Sequence, residues 1–306
     1  TGITDAYQLG IAATVLYLGA VGDRYGRKGM LLLGALLCVP FSLASAWSPN
    51  AVFLIVAQIA VGVAGGMLYP TTLSMITALW RGKKLTGAIA LWTGLGTGAS
   101  VLGPIMGGYL LDNYWWGSVF LITVPFALLV LVMGAIILPR SRAAKKAPVD
   151  HAGGSLSVVM ISSFVLGIVM LPQGITITVA ILFAVTLVSG TLFVWRQKRA
   201  PNPLFDLELA AVPTFWVAFV AGLVAFGALV GAMFIGQQFT QNVLRYTPLH
   251  AVLLTLALAI GMLPASVFAG KLIGKRGTRF TFIIGMVFIA FGFVEMLITW
   301  HAGTAE

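Results

Sequence analysis

The sequence predicts an all-α polytopic membrane protein, and three observations support that fold class. Of the 306 residues, 59% are hydrophobic and 8% are charged, against roughly 25% charged residues in soluble domains. The apolar residues form long runs, and the positive charges behind the net charge of +10 cluster between those runs. A single soluble core cannot bury so much apolar surface, so the composition argues against a soluble enzyme and against a nucleic-acid-binding domain.

Ten apolar segments each have the length of a membrane-spanning helix, which is about 20 residues. They are too long for the strands of a membrane barrel and lack the strict alternation of such strands. Helices also satisfy their own backbone hydrogen bonds in lipid. In chain order the segments lie near residues 2–21, 29–47, 51–79, 85–111, 117–138, 155–171, 174–195, 212–240, 249–271 and 279–300.

The positive charges predict the orientation of these helices. Seventeen of the 18 Lys and Arg residues fall in one set of alternate connections, and Arg245 alone falls in the other set. Because cytoplasmic loops carry the excess of Lys and Arg, the segments predict a multi-pass protein of the cell membrane with residue 1 on the outer side.

An internal repeat predicts two similar halves. Six residues have counterparts 251 positions later, and five of the six pairs keep glycine or positive charge. Repeated helix-loop-helix elements are typical of transporters that open a central site alternately to each side. Symmetry between the halves predicts one further helix upstream and three downstream. The total is then fourteen helices, in two halves of six and a two-helix insert. The pairs are Gly19 and Gly270, Asp23 and Gly274, Arg24 and Lys275, Gly26 and Gly277, Lys28 and Arg279, and Gly34 and Gly285.

The predicted domains follow from this count. Residues 1–139 form an N-terminal helix bundle that lacks its first helix, and residues 140–211 form a two-helix central insert with basic cytoplasmic loops. Residues 212–306 begin a C-terminal bundle.

The first copy of the repeat contains the string GAVGDRYGRK at residues 19–28. This string resembles the signature loop of the major facilitator superfamily. The resemblance implies that its glycines allow close helix approach and that its charged groups form a cytoplasmic latch. A plain positive-inside loop is the competing interpretation, and Gly274 in the second copy makes any latch asymmetric. The implied latch residues are Gly19, Asp23, Arg24, Gly26, Arg27 and Lys28.

The fourth segment is rich in glycine and contains one proline. Glycines four residues apart favour close helix packing, and proline after glycine favours a bend. Its string VLGPIMGG resembles the antiporter motif of the same superfamily, and YWWGSVFLITVPF resembles the next helix of the fourteen-span drug:proton antiporters. The resemblance is closest to exporters of quaternary ammonium and other lipophilic cations; a simple packing helix is the alternative. The motif residues are Gly94, Gly98, Gly103, Pro104, Gly107 and Gly108.

Two acids lie inside predicted spans. Asp5 lies about one turn inside the outer boundary, and a buried acid there tends to be functional. An N-cap with Gln8 at capping-box spacing is the alternative. The triplet DAY at 5–7 resembles the acid and tyrosine of the second helix of cation exporters. Glu295 is the second candidate, with snorkelling to the interface as the competing interpretation.

The aromatic rings of Tyr7 and Trp92 are candidates for cation–π contact worth about 0.5–2 kcal/mol, although packing is the commoner role of such residues. Gln58 stands where the resembled family has a buried arginine linked to proton transfer. Met262 stands where exporters of divalent cations have an acid, which favours monovalent or more apolar substrates. No metal or relay role is expected for His151, His250 or His301, which lie in loops or at a terminus.

Together these features predict a monomeric, bacterial, proton-coupled antiporter that exports lipophilic, monovalent cationic drugs or antiseptics. The expected partners are the substrate, protons and the bilayer, without cofactor, metal or nucleic acid. Two alternatives stay open. One is an exporter or flippase of neutral or lipid-like substrates with weak or no proton coupling; the other is a membrane scaffold or sensor that transports nothing. An enzyme is disfavoured because no nucleophile and base, ligand cluster or phosphate loop occurs at workable spacing.

Overall fold

The computed structural model describes residues 2–138, 148–205, 207–246 and 248–299. These residues form helices and no strand, which confirms the predicted all-α class. A 3-10 turn follows α7 at Leu171–Gln173, and a π-helical turn follows α10 at Phe239–Val243. The helices are α1 (Gly2–Tyr25), α2 (Arg27–Ala46), α3 (Ala51–Leu79), α4 (Lys83–Asn113), α5 (Ser118–Leu121), α6 (Thr123–Ile137), α7 (His151–Met170), α8 (Ile177–Arg199), α9 (Leu207–Ala210), α10 (Pro213–Gln238) and α11 (Pro248–Thr299).

Within the described ranges, eight helical stretches are long and apolar enough to cross a membrane. Two of the ten predicted spans are not among them. The first, α1, has 24 residues but carries Asp5, Gln8 and Asp23, which lower its apolarity. The second lies in the first part of α11, where most side chains fall outside the description. The eight stretches are Arg27–Ala46, Ala51–Leu79, Gly87–Asn113, Ser118–Ile137, His151–Met170, Ile177–Arg199, Pro213–Val243 and Phe268–Ile298.

The two copies of the sequence repeat have the same backbone feature. Gly26 separates α1 from α2 with φ 133° and ψ 118°. Its counterpart Gly277 interrupts α11 with φ 83° and ψ 167°, so this 52-residue helix consists of two helices joined at the glycine. A residue with a Cβ rarely adopts such a positive φ, which explains why both copies keep glycine at this point. The break coincides with the gap between the two predicted spans 249–271 and 279–300.

The chain divides into two compact units, Thr1–Ile89 with Tyr114–Leu207 and Ala90–Asn113 with Glu208–Glu306. In the first unit, α2 packs between α3 and α6, and a small core of Cys38, Ala64 and Ala127 lies among them. Helix α1 packs on α3 along one side and on α7 along another. In the second unit, α10 packs against α11.

Candidate functional site

Helices α1 and α3 cross at two glycines. A Cβ at Gly62 would overlap the carbonyl oxygen of Tyr7 and lie 2.9 Å from the Cα of Gly10. A Cβ at Gly10 would likewise lie 2.9 Å from the Cα of Gly62. The hydroxyl of Thr14 donates to the Gly10 carbonyl at 2.6 Å on the same helix. The crossing therefore requires glycine at both positions, and it places the backbone of Tyr7 directly against α3.

The crossing borders a cavity of about 380 Å³ within the first unit. This volume is within the range of small-molecule sites. Among the described residues, its polar groups are a phenol, a thiol, two aliphatic hydroxyls and an amide, and no charged side chain belongs to its lining. The structure thus brings together two predicted site residues, Tyr7 and Gln58. The lining residues are Tyr7, Cys38, Ser42, Gln58, Val61, Gly65, Leu68, Val119, Phe120 and Thr123.

Gln58 is held in the cavity wall by a chain of hydrogen bonds. Its side chain is buried, and Nε2 donates to the hydroxyl of Ser45 at 3.0 Å. Ser45 in turn donates to the carbonyl of Phe41 at 2.9 Å, one turn earlier in α2. An amide carries an acceptor as well as a donor, so Oε1 can accept a hydrogen bond from a ligand in the cavity that Gln58 lines. A glutamine here supplies a fixed dipole without a charge.

Tyr7 contributes an aromatic ring and a hydroxyl to the same cavity. The hydroxyl lies 3.6 Å from the position that a Cβ on Gly65 would occupy. Asp5 lies in the first turn of α1, half-buried, and is not part of the cavity lining. Helix α1 begins at Gly2, so Asp5 lies inside the helix rather than at its N-cap, and the capping alternative does not hold.

The remaining predicted ligand-binding residues lie in the second unit. Trp92 is half-buried on α4, and Glu295 is exposed near the end of α11. The side chains of Met262 and His250, and all of His301, lie outside the described residues. An apolar cavity of about 680 Å³ lies between α10 and α11, lined by Phe226, Leu229, Phe288, Ile289, Phe293, Met296 and neighbouring glycines and alanines.

The glycine motif of α4 also lies in the second unit, with Pro104 inside the helix. A Cβ at Gly94, Gly98, Gly103 or Gly108 would meet no described atom of that unit within 4 Å. The packing role of these glycines, and of Gly107, stays a prediction.

The implied latch loop forms a compact polar cluster in the first unit. Asp23 accepts a hydrogen bond from Nε of Arg27 at 2.7 Å and another from the hydroxyl of Ser74 on α3. The ammonium of Lys28 donates to the carbonyls of Ala135 and Leu138, both at 2.7 Å. These carbonyls lie at the C-terminus of α6, where a positive charge is favourable. The loop thus ties together α1, α2, α3 and α6.

The other latch residues have simpler surroundings. A Cβ on Gly19 would lie 3.1 Å from Pro70 on α3, so this glycine allows α1 to approach α3. Arg24 lines a second cavity of about 520 Å³, next to Asp23 and Asp150. The latch function of these residues remains a prediction.

Asp150 was not predicted as a site residue, and it is the most buried acid that the structure describes. Burial raises its pKa, but hydrogen bonds from Arg196, the Gly153 N–H and Gln197, together with the charge of Arg196, bring the pKa below its ordinary value. The sequence offers one signal for it, an acid that follows a run of basic residues just before an apolar segment. Nothing in the sequence indicates that Arg196 and Gln197, more than forty residues later, would contact it.

Comparisons with known proteins agree with this architecture. Residues 3–305 match the family described as Major Facilitator Superfamily. The multidrug efflux pump LfrA of Mycolicibacterium smegmatis is 37% identical over 98% of this chain and 60% of its own length. The methyl viologen resistance protein SmvA of Salmonella typhimurium is 31% identical over 97% of this chain and 61% of its own length.

The multidrug resistance protein Stp of Mycobacterium tuberculosis is 28% identical over 99% of this chain and 57% of its own length. The chain therefore spans about three fifths of the length of these curated relatives.

Proposed function

This chain belongs to the major facilitator superfamily, and on that premise we propose that the protein exports lipophilic cationic drugs or antiseptics in exchange for protons. It acts as a monomer that opens the site alternately to the two sides of the cell membrane. The cavity beside the α1–α3 crossing is the observation that carries this proposal. Similarity to LfrA, Stp and SmvA supports export of drugs as the class of activity.

The chemistry of the cavity suits a lipophilic cation. Its apolar wall receives the hydrocarbon part of such a molecule, and the ring of Tyr7 offers a cation–π contact worth about 0.5–2 kcal/mol. The Gln58 amide and the hydroxyls of Ser42 and Thr123 add dipoles that orient the ligand. Because the described lining has no carboxylate, a strongly hydrated ion would not regain its hydration energy there, which favours ions with delocalised charge.

We assign the proton to Asp5, two residues before Tyr7 on the same helix. A protonated carboxyl is neutral, whereas an ionised one attracts a cation through a medium of low dielectric constant. Protonation of Asp5 and occupation of the cavity by a cation therefore oppose each other. That competition is the physical basis of antiport.

Export of a neutral or lipid-like substrate is the second candidate function. The uncharged lining of the cavity favours it, as does Gln58, which cannot gain or lose a proton at any ordinary pH. In this case the substrate would bind equally well to the two protonation states of Asp5.

The deciding experiment uses the full-length protein in proteoliposomes with an imposed pH gradient. Proton efflux is followed after addition of ethidium, a monovalent lipophilic cation, or of methyl viologen, a dication, for wild type and Asp5→Asn. Asp112→Asn is the matched control, because Asp112 is an exposed acid at the end of α4. Movement of a fluorescent phospholipid analogue is measured in parallel.

Antiport predicts ethidium-dependent proton flux that is lost in Asp5→Asn and kept in Asp112→Asn. A smaller response to methyl viologen would support the preference for monovalent cations. Lipid movement that is unchanged in Asp5→Asn would support the second candidate instead. A folded protein that moves none of these substrates would point to a scaffold or sensor.

A further inference from the structure

The hairpin of α7 and α8 packs against the N-terminal helices. It belongs to the same compact unit as residues 2–89, and α7 packs along α1. From the sequence alone this pair of spans belongs to neither half of the repeat. Its contacts with α1 assign the hairpin to the first compact unit.

The base of the hairpin is closed by a buried polar cluster. The carboxylate of Asp150, with 4% of its side chain exposed, accepts hydrogen bonds from Nε of Arg196 at 3.1 and 3.3 Å. It also accepts from Nε2 of Gln197 at 3.3 Å. Oε1 of Gln197 accepts the backbone N–H groups of Leu204 at 2.6 Å and Phe205 at 3.2 Å. One carboxylate thus joins the start of α7, the end of α8 and the chain that follows.

The same carboxylate sets the first turn of α7. It accepts the backbone N–H of Gly153 at 3.1 Å and so caps the helix. A Cβ on Gly153 would lie too close to the side chains of Gln197 and Asp150, so the cluster needs glycine there. The position of this turn matters because it carries the residues that contact α1.

Two residues of that turn contact Tyr17 of α1. The hydroxyl of Tyr17 is hydrogen-bonded to Nδ1 of His151 at 2.8 Å, and the ring of Tyr25 stacks on the His151 ring at 6.5 Å between centroids. Gly154 lies against the face of the Tyr17 ring, where any Cβ would overlap it. The first turn of α7 is therefore fitted to α1 by a hydrogen bond, a stacked ring and a steric match.

We propose that the α7–α8 hairpin is clamped to α1 and moves with it as one body through the transport cycle. Asp150 acts as the positioning residue, since its cap and ion pair fix the turn that holds Tyr17. The helix held in this way also carries Tyr7 at the cavity and Asp23 in the latch loop. The idea of a cycle rests on the proposed export function, whereas the clamp itself does not.

A disulfide across the contact tests the common movement. Tyr17→Cys and Gly154→Cys are combined in a Cys38→Ala background, where the close approach of the two positions suits a disulfide. Tyr17→Cys with Ser155→Cys is the control pair, because Ser155 is exposed whereas Gly154 is buried against Tyr17. We expect the first pair to cross-link in high yield and the control pair to remain largely reduced.

Ethidium export by the oxidised Tyr17–Gly154 pair is then compared with export by the same protein after reduction. The proposal predicts rates that agree within about twofold. A cross-link that stops export, with recovery on reduction, would overturn it, because the hairpin would then have to slide along α1. Absence of export by the wild-type protein would contradict the proposed function, and the clamp would then be decided by the second measurement.

That second measurement is hydrogen exchange, which needs no transport. Asp150→Ala removes both the cap and the ion pair, whereas Asp150→Asn keeps a capping oxygen. In Asp150→Ala we expect faster exchange in the first turn of α7 and also in α1 around Tyr17, with part of the protection of α7 restored in Asp150→Asn. The rate of cross-linking should fall several-fold in the Asp150→Ala background. Faster exchange confined to α7, with an unchanged cross-linking rate, would refute the positioning role.

Discussion

At the scale of single residues, Gly62 controls the geometry of the candidate site. The α1–α3 crossing has no room for a Cβ between Gly62 and the carbonyl of Tyr7, and backbone atoms cannot move aside as a flexible side chain can. Any residue larger than glycine must therefore push α1 away from α3. Because Tyr7 lies at the contact itself, a shift of α1 also moves the ring that lines the cavity.

Gly62→Ala is expected to destabilise the protein by about 1–3 kcal/mol, the range for overpacking in a close contact, and to reduce export. Gly29→Ala on α2 is the control, since Gly29 is not part of the described cavity lining and a Cβ there would meet nothing within 4 Å among the described atoms. Melting temperatures in detergent and ethidium export are measured for both variants. Equal effects of the two substitutions would mean that the Gly10–Gly62 contact does not determine the crossing.

Asp150 gives a residue-scale prediction about pH. Its pKa in the folded protein lies below its ordinary value of about 3.9. The ionised form is therefore bound more favourably in the folded state, and this stabilisation is present at neutral pH and lost as the pH falls through the folded pKa. The Asp150 contacts are therefore expected to stay the same between pH 5 and pH 8.

Asp150→Ala should lower the free energy of unfolding at pH 7 by about 1–3 kcal/mol, the range for lost charge-assisted hydrogen bonds. The partner in these bonds, Arg196, is partly exposed. Melting curves from pH 7 down to pH 3 provide the measurement. Wild type should lose more stability than the variant over the acidic part of the range. Parallel curves would show that Asp150 is not the group that titrates.

At the scale of elements, the repeated helix-loop-helix depends on one backbone conformation used twice. Gly26 and Gly277 both have positive φ, at 133° and 83°, in regions of φ and ψ that side chains with a Cβ rarely enter. In the first copy, the turn at Gly26 brings Arg27 back to Asp23 and Lys28 to the end of α6. The second copy has Gly274 in place of the acid, so it keeps the turn without that ion pair.

Gly26→Ala and Gly277→Ala should therefore each cost about 1–3 kcal/mol through backbone strain. Gly29→Ala is the control, because Gly29 is helical and a Cβ there would meet nothing within 4 Å among the described atoms. That substitution should be neutral or stabilise α2 slightly. Thermal unfolding of the three variants in detergent tests the difference, and a cost for Gly29→Ala as large as the others would contradict it.

Elements along the chain were easier to predict than contacts between them. The predicted span 51–79 coincides with α3, Ala51–Leu79, because a continuous apolar run ends at recognisable turn residues. The α1–α3 crossing was missed although its glycines are visible, since a spacing of small residues indicates packing without naming the partner helix. The family resemblance predicts Tyr7, Gln58 and Asp5 as site residues; Tyr7 and Gln58 share a cavity, whereas Asp5 lies outside its lining. Asp150 was missed because its partners lie far along the chain.

At the scale of the whole molecule, the distribution of charge predicts how the chain crosses the membrane. Arg245 alone among 18 Lys and Arg residues falls in the outer set of connections. The connection between α7 and α8 is then outside, and the end of α8, with Arg196, Lys198 and Arg199 in its last turn, is inside. On this predicted orientation, the Asp150 cluster and the latch loop lie on the cytoplasmic side.

Single cysteines test this orientation in whole cells. In a Cys38→Ala background, Ile175→Cys lies in the connection after α7, where the native side chain is 87% exposed, and Lys198→Cys lies at the other end of α8. A membrane-impermeant maleimide should label Ile175→Cys in intact cells and Lys198→Cys only after permeabilisation. The two positions are separated by one helix of 23 residues, so they must lie on opposite sides if α8 spans the bilayer. The reverse pattern would invert the predicted orientation, and labelling of both positions in intact cells would show that α8 does not cross the membrane.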